Sequence, residues 1–143
     1  MGMGGWDTHV AQGGAIGWQA LRLTELGQAL AAFAKDLGPH MGRVTTVVMT
    51  EFGRRAQENS GLGTDHGRAG AWLLMGGNVA GGKVHTDWPG LKRENLDDNG
   101  DLRVTTDYRD ILAEIIARRL DNEKLAEVFP NYTPRFRNVV SAG

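Results

Sequence analysis

The sequence predicts an α/β fold, because helical apolar patterns alternate with short β-branched runs. Residues 17–37 repeat apolar side chains at three- and four-residue steps, the spacing of a helix that packs one face on a core. Residues 43–50 are rich in valine and threonine with few polar breaks, as in a strand covered on both faces. A second helical pattern starts behind Thr106, the expected N-cap, and continues to about Asn122. We therefore expect helices packed against a central sheet.

The remaining segments are less regular. Residues 56–68 contain several glycines and indicate a long loop, whereas the apolar run 69–75 predicts a second strand. Helix capping and a structural ion pair explain Asp107 and Arg109 without any chemistry. Beyond Pro130 the chain lacks apolar periodicity, so we expect an irregular and frayed tail.

Length and composition limit the classes of function. The 143 residues have the length of one domain, 1–143, which can bury roughly 68–70% of its unfolded surface. A formal net charge of -1 creates no global field for nucleic acid or an anionic membrane, so neither is expected as a partner. The absence of cysteine excludes disulfides and thiolate chemistry. Without a long apolar run or a signal peptide, we expect a soluble, cytoplasmic protein.

Three short polar runs with neighbouring glycines, at residues 4–9, 50–54 and 63–67, hold the side chains best suited to chemistry. Their candidate metal ligands are Asp7, His9, Glu51, Asp65 and His66. Hydrolytic divalent metals bind carboxylate oxygens and neutral imidazole nitrogens, preferably on turns fixed by a rigid scaffold. Taken alone, Asp7 with His9 or Asp65 with His66 is more often part of an ordinary turn. Their order along the chain, with a helix and a strand between the turns, favours a joint metal site.

Position in the predicted sheet bears on Glu51, and two further residues, Arg54 and His85, have alternative interpretations. Glu51 ends the predicted strand, and ligands of open α/β sheets bind outside the carboxyl ends of strands. Arg54 follows, and its guanidinium can clamp a phosphate or sulfate oxygen as a catalytic group, although two adjacent arginines are also typical of a solvated face. His85 is the weakest ligand candidate, with a hydrogen-bonded surface or supporting role as the default.

Five separated motifs carry a resemblance to a known family. They are Gly-Gly-Trp-Asp-Thr-His at 4–9, Thr-Glu-Phe-Gly-Arg at 50–54, Gly-Thr-Asp-His-Gly at 63–67, Asp-Trp-Pro-Gly-Leu at 87–91 and Thr-Asp-Tyr-Arg at 106–109. In this order they resemble the C-terminal part of a large, mostly uncharacterised bacterial family of sulfatase-like proteins of the alkaline phosphatase superfamily. The resemblance covers nearly the whole chain.

The resemblance implies a doubly wound α/β fold: a three-layer sandwich with a partly parallel central sheet, truncated at its N-terminus. Two metal ions would sit at the carboxyl ends of its strands. Asp7 and His9 resemble the ligands of one ion, Glu51 takes a position where many members have aspartate, His66 closes the site and Asp65 serves either ion. Zinc fits this mixed set best, with manganese or magnesium as alternatives.

Members of that family are usually longer, with a secretion signal and a Ser or Thr nucleophile upstream of the first motif. We therefore expect either a fragment, periplasmic if it derives from an exported member, or a shortened protein. The nucleophile is unassigned: Thr8, Thr50 and Thr64 lie near candidate ligands but are also typical strand-end or capping residues. Water activated by zinc, which can lower its pKa to about 7, is the alternative.

The leading expectation is a metal-dependent hydrolase of phosphate monoesters or related phosphate and sulfate esters, with a small anionic ester as substrate. One alternative is a non-catalytic α/β remnant with at most a weak metal site. Another is an assembly or binding module. A truncated sheet exposes an edge that invites pairing, so a homo-oligomer is also expected.

Overall fold

The computed structural model describes residues 1–142, which form three α-helices and four short strands. The helices are α1 (Trp18–Leu37), α2 (Tyr108–Arg119) and α3 (Leu125–Val128), and the strands are β1 (Thr45–Val48), β2 (Gly53–Arg54), β3 (His66–Gly67) and β4 (Leu73–Gly76). Two 3-10 helices cover Gly38–Arg43 and Arg93–Asn95. Over residues 1–142, no helix combines the length and the apolar character needed to cross a bilayer.

The strands form two separate antiparallel pairs. In the larger pair, β1 lies beside β4 with Thr45 opposite Gly76 and Val48 opposite Leu73. In the smaller pair, Gly53 of β2 lies opposite Gly67 of β3. The predicted three-layer sandwich with a partly parallel central sheet is therefore wrong. The valine-rich run forms only four strand residues, all half-buried, whereas a parallel sheet needs helices covering both of its faces.

The first helix was predicted correctly in position but not in packing. It ends at Leu37, because the φ of 48° at the C-cap Gly38 breaks the helical geometry; the Gly38 N–H donates to the Ala34 carbonyl. No residue of α1 is buried, and Leu21 and Phe33 remain 58% and 43% exposed. The amphipathic pattern thus marks a helix without showing what covers its apolar face.

The chain divides into two compact units, each built from separate segments. The first unit comprises Met1–Gly38, Thr50–Ala71 and Pro89–Arg103. The second unit comprises Pro39–Met49, Trp72–Trp88 and the chain from Val104 onwards. The expectation of one domain over residues 1–143 stays a prediction. The candidate ligands Asp7, His9, Glu51, Asp65 and His66 belong to the first unit, whereas His85 belongs to the second.

The second unit holds a small core on α2. Ile111 packs with Val139 and Val140 of the C-terminal tail, and partly buried Leu74 and Ile115 lie against this cluster. Two carboxylates of α2, Asp110 and Glu114, are also buried. Buried carboxylates are stable only where hydrogen-bond donors satisfy their oxygens. For Asp110 and Glu114, residues of the tail supply these donors.

Glu114 holds the tail through backbone hydrogen bonds. One carboxylate oxygen accepts from the N–H groups of Arg137 at 2.6 Å and Asn138 at 2.8 Å, and the other accepts from Val140 at 3.1 Å. The Arg118 guanidinium lies 3.4 Å from the second oxygen. A single side chain thus replaces the strand partner that these N–H groups would otherwise need.

Asp110 forms a second attachment of the tail. Its carboxylate accepts from the Tyr132 hydroxyl and from the Arg135 N–H, both at 2.7 Å. Burial opposes ionisation, but these donors together with Arg137 hold the pKa of Asp110 below its usual value. Burial and the bond to Asp110 raise the pKa of Tyr132 to about 12. The tail is irregular, as predicted, but it is tied to α2 rather than frayed.

The N-cap of α2 lies one residue later than predicted. The N-cap is Asp107 instead of Thr106, because the Asp107 carboxylate accepts from the Arg109 N–H at 2.9 Å. The Arg109 guanidinium also pairs with both oxygens of Asp107, at 2.9 and 2.7 Å. This pairing lowers the pKa of Asp107. Capping and a structural ion pair therefore account for both residues, as predicted.

Replacing Glu114 by glutamine tests the attachment of the tail. One end of the new amide is a donor, so at least one buried N–H loses its acceptor and faces another donor. We expect Glu114→Gln to lower the free energy of unfolding by about 1–3 kcal/mol in urea denaturation. Glu127→Gln, at an exposed glutamate of α3, is the matched control and should stay within about 0.5 kcal/mol of wild type. Equal stability of the two variants would contradict the attachment.

Candidate metal centre

In the first unit, two loops that carry the first and third motifs run side by side. The Ala11 N–H donates to the Gly61 carbonyl and the Gln12 N–H to the Leu62 carbonyl, both at 2.9 Å. These bonds are made between loops rather than strands, so regular periodicity in the sequence does not predict them. They bring residues about 50 positions apart into one site.

Gly63 makes this close approach possible. A Cβ atom at this position would lie 2.3 Å from the carbonyl oxygen of His9 and 2.5 Å from that of Thr8. Real Cβ atoms do not come so close to backbone, so any side chain here would force the two loops apart. Gly63, the first residue of the third motif, is thus required by packing, and the same packing fixes the backbone of His9.

Three ligand-type side chains converge at this point. Oδ1 of Asp7 lies 2.7 Å from Nε2 of His66 and 2.8 Å from Nε2 of His9, and the two Nε2 atoms are 3.1 Å apart. Among residues 1–142 this is the one group of three or more such side chains close enough to share an ion. We call Asp7, His9 and His66 the triad. It can hold a divalent metal ion.

The proton count of the triad also suits a cation. Three short contacts join its three atoms, but each Nε2 carries at most one proton and the carboxylate, when ionised, carries none. One contact therefore has no proton to share, and a central cation satisfies all three atoms instead. Zinc with bonds of 2.0–2.2 Å in tetrahedral geometry separates its ligands by about 3.3–3.6 Å, so a small opening of the triad suffices. Asp7 and His66, with side chains 69% and 46% exposed, have room for that movement.

Asp65 lies behind His9 rather than in the triad. Its Oδ1 is 3.1 Å from Nδ1 of His9 and accepts from Nδ2 of Asn59 at 2.8 Å. Metal-binding histidines commonly donate their far nitrogen to a carboxylate in this way. The hydrogen bonds from Asn59 and then from His9 lower the pKa of Asp65, so this carboxylate is ionised at neutral pH.

Arg54 links the first and third motifs. Its guanidinium donates to the carbonyl oxygens of Trp6, at 2.6 Å, and Thr64, and one nitrogen lies 3.2 Å from Oδ1 of Asp7. The hydrogen bond from His66 is the main cause of a lowered pKa at Asp7, and the charge of Arg54 acts in the same direction. These bonds position Asp7. The role of Arg54 as an anion clamp stays a prediction.

Two other predicted candidates are not members of the triad. Glu51 is exposed and is not a member of the metal-binding group, and β1 ends at Val48 without a parallel sheet edge to place it. Its ligand role stays a prediction. His85 belongs to the second unit, where its Nε2 lies 2.9 Å from the Ala80 carbonyl. The two metal ions implied by the resemblance stay a prediction.

Sequence reasoning missed two residues of the site. Phe52 packs against His66 with ring centroids 4.3 Å apart and ring planes tilted by 42°, and Asn59 bonds both His9 and Asp65. An asparagine before a glycine-rich loop is a signal for a side chain that caps the loop's own N–H groups, and it could have identified Asn59. No comparable signal exists for Phe52.

Alanine at position 63 tests the loop contact. Gly63→Ala should separate the loops, lower the free energy of unfolding by about 1–3 kcal/mol and weaken any metal binding at the triad. Gly14→Ala is the matched control, because no atom lies within 4 Å of a Cβ there. Thermal denaturation and metal titration of both variants check this. Wild-type behaviour of Gly63→Ala would show that the loops are not held as described.

Comparison with known proteins gives one match. No curated protein and no solved structure matches the chain. The resemblance to sulfatase-like proteins therefore stays a prediction from the motifs. One family model matches residues 1–128, and its description is "Protein of unknown function (DUF1501)". The match covers most of the chain, including the whole triad, and the chain belongs to the DUF1501 family.

Proposed function

We propose that the first unit binds one divalent metal ion through Asp7, His9 and His66, and that the protein is a metal-dependent hydrolase of phosphate monoesters or related phosphate and sulfate esters. The observation that carries this proposal is the convergence of one carboxylate oxygen and two imidazole nitrogens within 3.1 Å of one another. Such a donor set is used by catalytic metal sites that keep a further position open for substrate.

Zinc is the metal that we propose first. Catalytic zinc sites typically combine three histidine and carboxylate ligands, whereas magnesium prefers octahedral sites rich in oxygen. Two imidazoles in a set of three favour zinc, with manganese as the next choice. The partial exposure of all three side chains leaves the open side of the triad accessible to a small ester.

The proposed chemistry divides between the metal and the chain. When bound, zinc acts as a Lewis acid that polarises an ester oxygen. The chain holds the ligands: Arg54 fixes Asp7, Asp65 orients His9, and Phe52 packs against His66. The guanidinium of Arg54, 3.2 Å from Asp7, also places a positive charge beside the triad. That charge and the five-motif resemblance support a small anionic ester as substrate.

A metal-binding scaffold without turnover is the second candidate, and the hydroxyls of Thr8 and Thr64 favour it. Thr8 is 5% exposed, and its hydroxyl contacts the side-chain oxygen of Gln12 at 3.1 Å. The Thr64 hydroxyl donates to the same oxygen at 2.7 Å. Both hydroxyls are thus engaged in holding the loops together, which leaves neither as an evident nucleophile.

A homo-oligomer remains part of the proposal. The open edge of a truncated parallel sheet does not support an oligomer, because that sheet is not present. The absence of any buried residue on α1 now supports it instead, since an apolar helix face needs a cover. Nucleic acid and membranes are not proposed as partners, since the net charge is only -1.

Removing one ligand tests the metal site. Wild-type protein should bind one equivalent of zinc, and His66→Ala should lower the affinity by more than about 100-fold, beyond the 10–100-fold typical of outer partners. His40→Ala, at an exposed histidine outside the triad, is the matched control and should bind as wild type. Elemental analysis and calorimetric titration measure both. Unchanged zinc binding in His66→Ala would refute the triad as the site.

Turnover separates the two candidate functions. Zinc-loaded protein should hydrolyse para-nitrophenyl phosphate or sulfate, and His66→Ala should lose that activity while His40→Ala keeps it. Stoichiometric zinc without turnover on either ester would favour the scaffold. Full activity after removal of zinc would exclude a metal-dependent hydrolase.

A further inference from the structure

The Asn59 side chain makes four hydrogen bonds that leave its orientation no alternative. Its amide oxygen accepts from the N–H groups of Gly61 at 2.9 Å and Gly63 at 3.1 Å. Its amide nitrogen donates to the carbonyl oxygen of His9 at 3.0 Å and to Oδ1 of Asp65 at 2.8 Å. Turning the amide over would face donors with donors and acceptors with acceptors. Asn59 is therefore locked in place.

This lock determines where the Asp65 carboxylate lies. Its Oδ1 is held by Asn59 and faces Nδ1 of His9 at 3.1 Å. The same asparagine also holds the backbone of His9 through that residue's carbonyl. One side chain thus fixes both partners of the contact between Asp65 and His9.

The opposite edge of the His9 ring faces a competing acceptor. Nε2 of His9 lies 2.8 Å from Oδ1 of Asp7, so two carboxylates stand at the two nitrogens of one ring. A neutral imidazole carries one proton, and whichever carboxylate takes that hydrogen bond decides which nitrogen keeps a lone pair. Only a proton on Nδ1 leaves Nε2 free to bind a metal in the triad.

We propose that Asn59 and Asp65 are positioning residues that hold His9 as its Nδ1–H tautomer, so that the Nε2 lone pair points into the triad. In its link to metal binding, this inference rests on the proposed function. Asp65 acts through the charge that it places at Nδ1. Asn59 acts by fixing that charge, since an exposed carboxylate without it would be free to turn away.

Two near-isosteric substitutions test the two residues separately. Asp65→Asn removes the charge at Nδ1 and leaves Asp7 as the stronger acceptor, so the proton should move to Nε2. Asn59→Asp keeps the oxygen that accepts from Gly61 and Gly63 but replaces the donor to Asp65 with a second carboxylate. The two carboxylates repel, and Asp65 should leave its place behind His9.

Asn99→Asp is the matched control. It introduces the same charge as Asn59→Asp in an exposed turn of the first unit, outside the two loops that carry the triad. If the tautomer responds to charge alone, this control will shift as well. If it responds to the hydrogen bonds among Asn59, Asp65 and His9, the control will match wild type.

The tautomer is read directly from the nitrogen-15 chemical shifts of the His9 ring in metal-free full-length protein, at a pH where imidazole is neutral. The loss of these signals in His9→Gln assigns them. We expect Nδ1–H in wild type and in Asn99→Asp, and a shift towards Nε2–H in Asp65→Asn and Asn59→Asp. In zinc titrations the two site variants should bind about 10–100-fold more weakly than wild type.

The two measurements distinguish failure of the inference from failure of the proposed function. A wild-type Nε2–H tautomer, or an unchanged tautomer in both site variants, overturns the inference even if zinc binds. Unchanged zinc affinity in both variants overturns it as well, while the metal site itself stands. If wild type binds no zinc but the tautomer shifts as expected, the proposed function fails and the positioning of His9 by Asn59 and Asp65 is upheld.

Discussion

The candidate site depends on one steric constraint, the contact of Gly63 with the backbone at His9. The loop carrying Asp65 and His66 can reach the first motif only because position 63 has no Cβ, since that atom would overlap the carbonyl oxygens of Thr8 and His9. Once the loops touch, Asn59 can bond across them and Arg54 can bridge Trp6 and Thr64. The proposed metal affinity, the proposed control of the His9 tautomer and the local stability are therefore not independent properties. All of them follow from how closely two backbones approach.

Local features could be predicted from the sequence better than the way in which distant segments pair. The helix at residues 17–37 and the strand within 43–50 are local patterns and lie where they were expected. The prediction of a parallel sheet failed because a short β-branched run has the same sequence pattern in a large covered sheet as beside a single half-buried partner such as β4. Burial, which distinguishes these cases, depends on residues far away in the chain.

In the candidate site, too, residue types could be predicted from the sequence, whereas the contacts between distant residues could not. Asp7, His9 and His66 could be predicted as candidate ligands because histidine and aspartate are residue types that bind metals, and because the runs that carry them follow one another in a suitable order. The position of Asp65 behind His9 could not be predicted. In the sequence, an aspartate that binds a metal looks the same as one that faces Nδ1 of a ligand histidine. Asn59 escaped notice for a related reason. Its importance lies in four hydrogen bonds to backbone and to Asp65, which no spacing rule encodes.

The two units use carboxylates in opposite ways, and the contrast has a consequence for the triad. Glu114 is fully buried and its oxygens accept from three backbone N–H groups, so they are not accessible to a ligand. Asp7 has most of its surface in water and holds its neighbours through one oxygen. A metal bound there could enter and leave without any opening of the protein. Its residence time would then be set by the strength of three bonds rather than by a folding barrier, so occupancy of the triad would follow the free metal concentration of its surroundings.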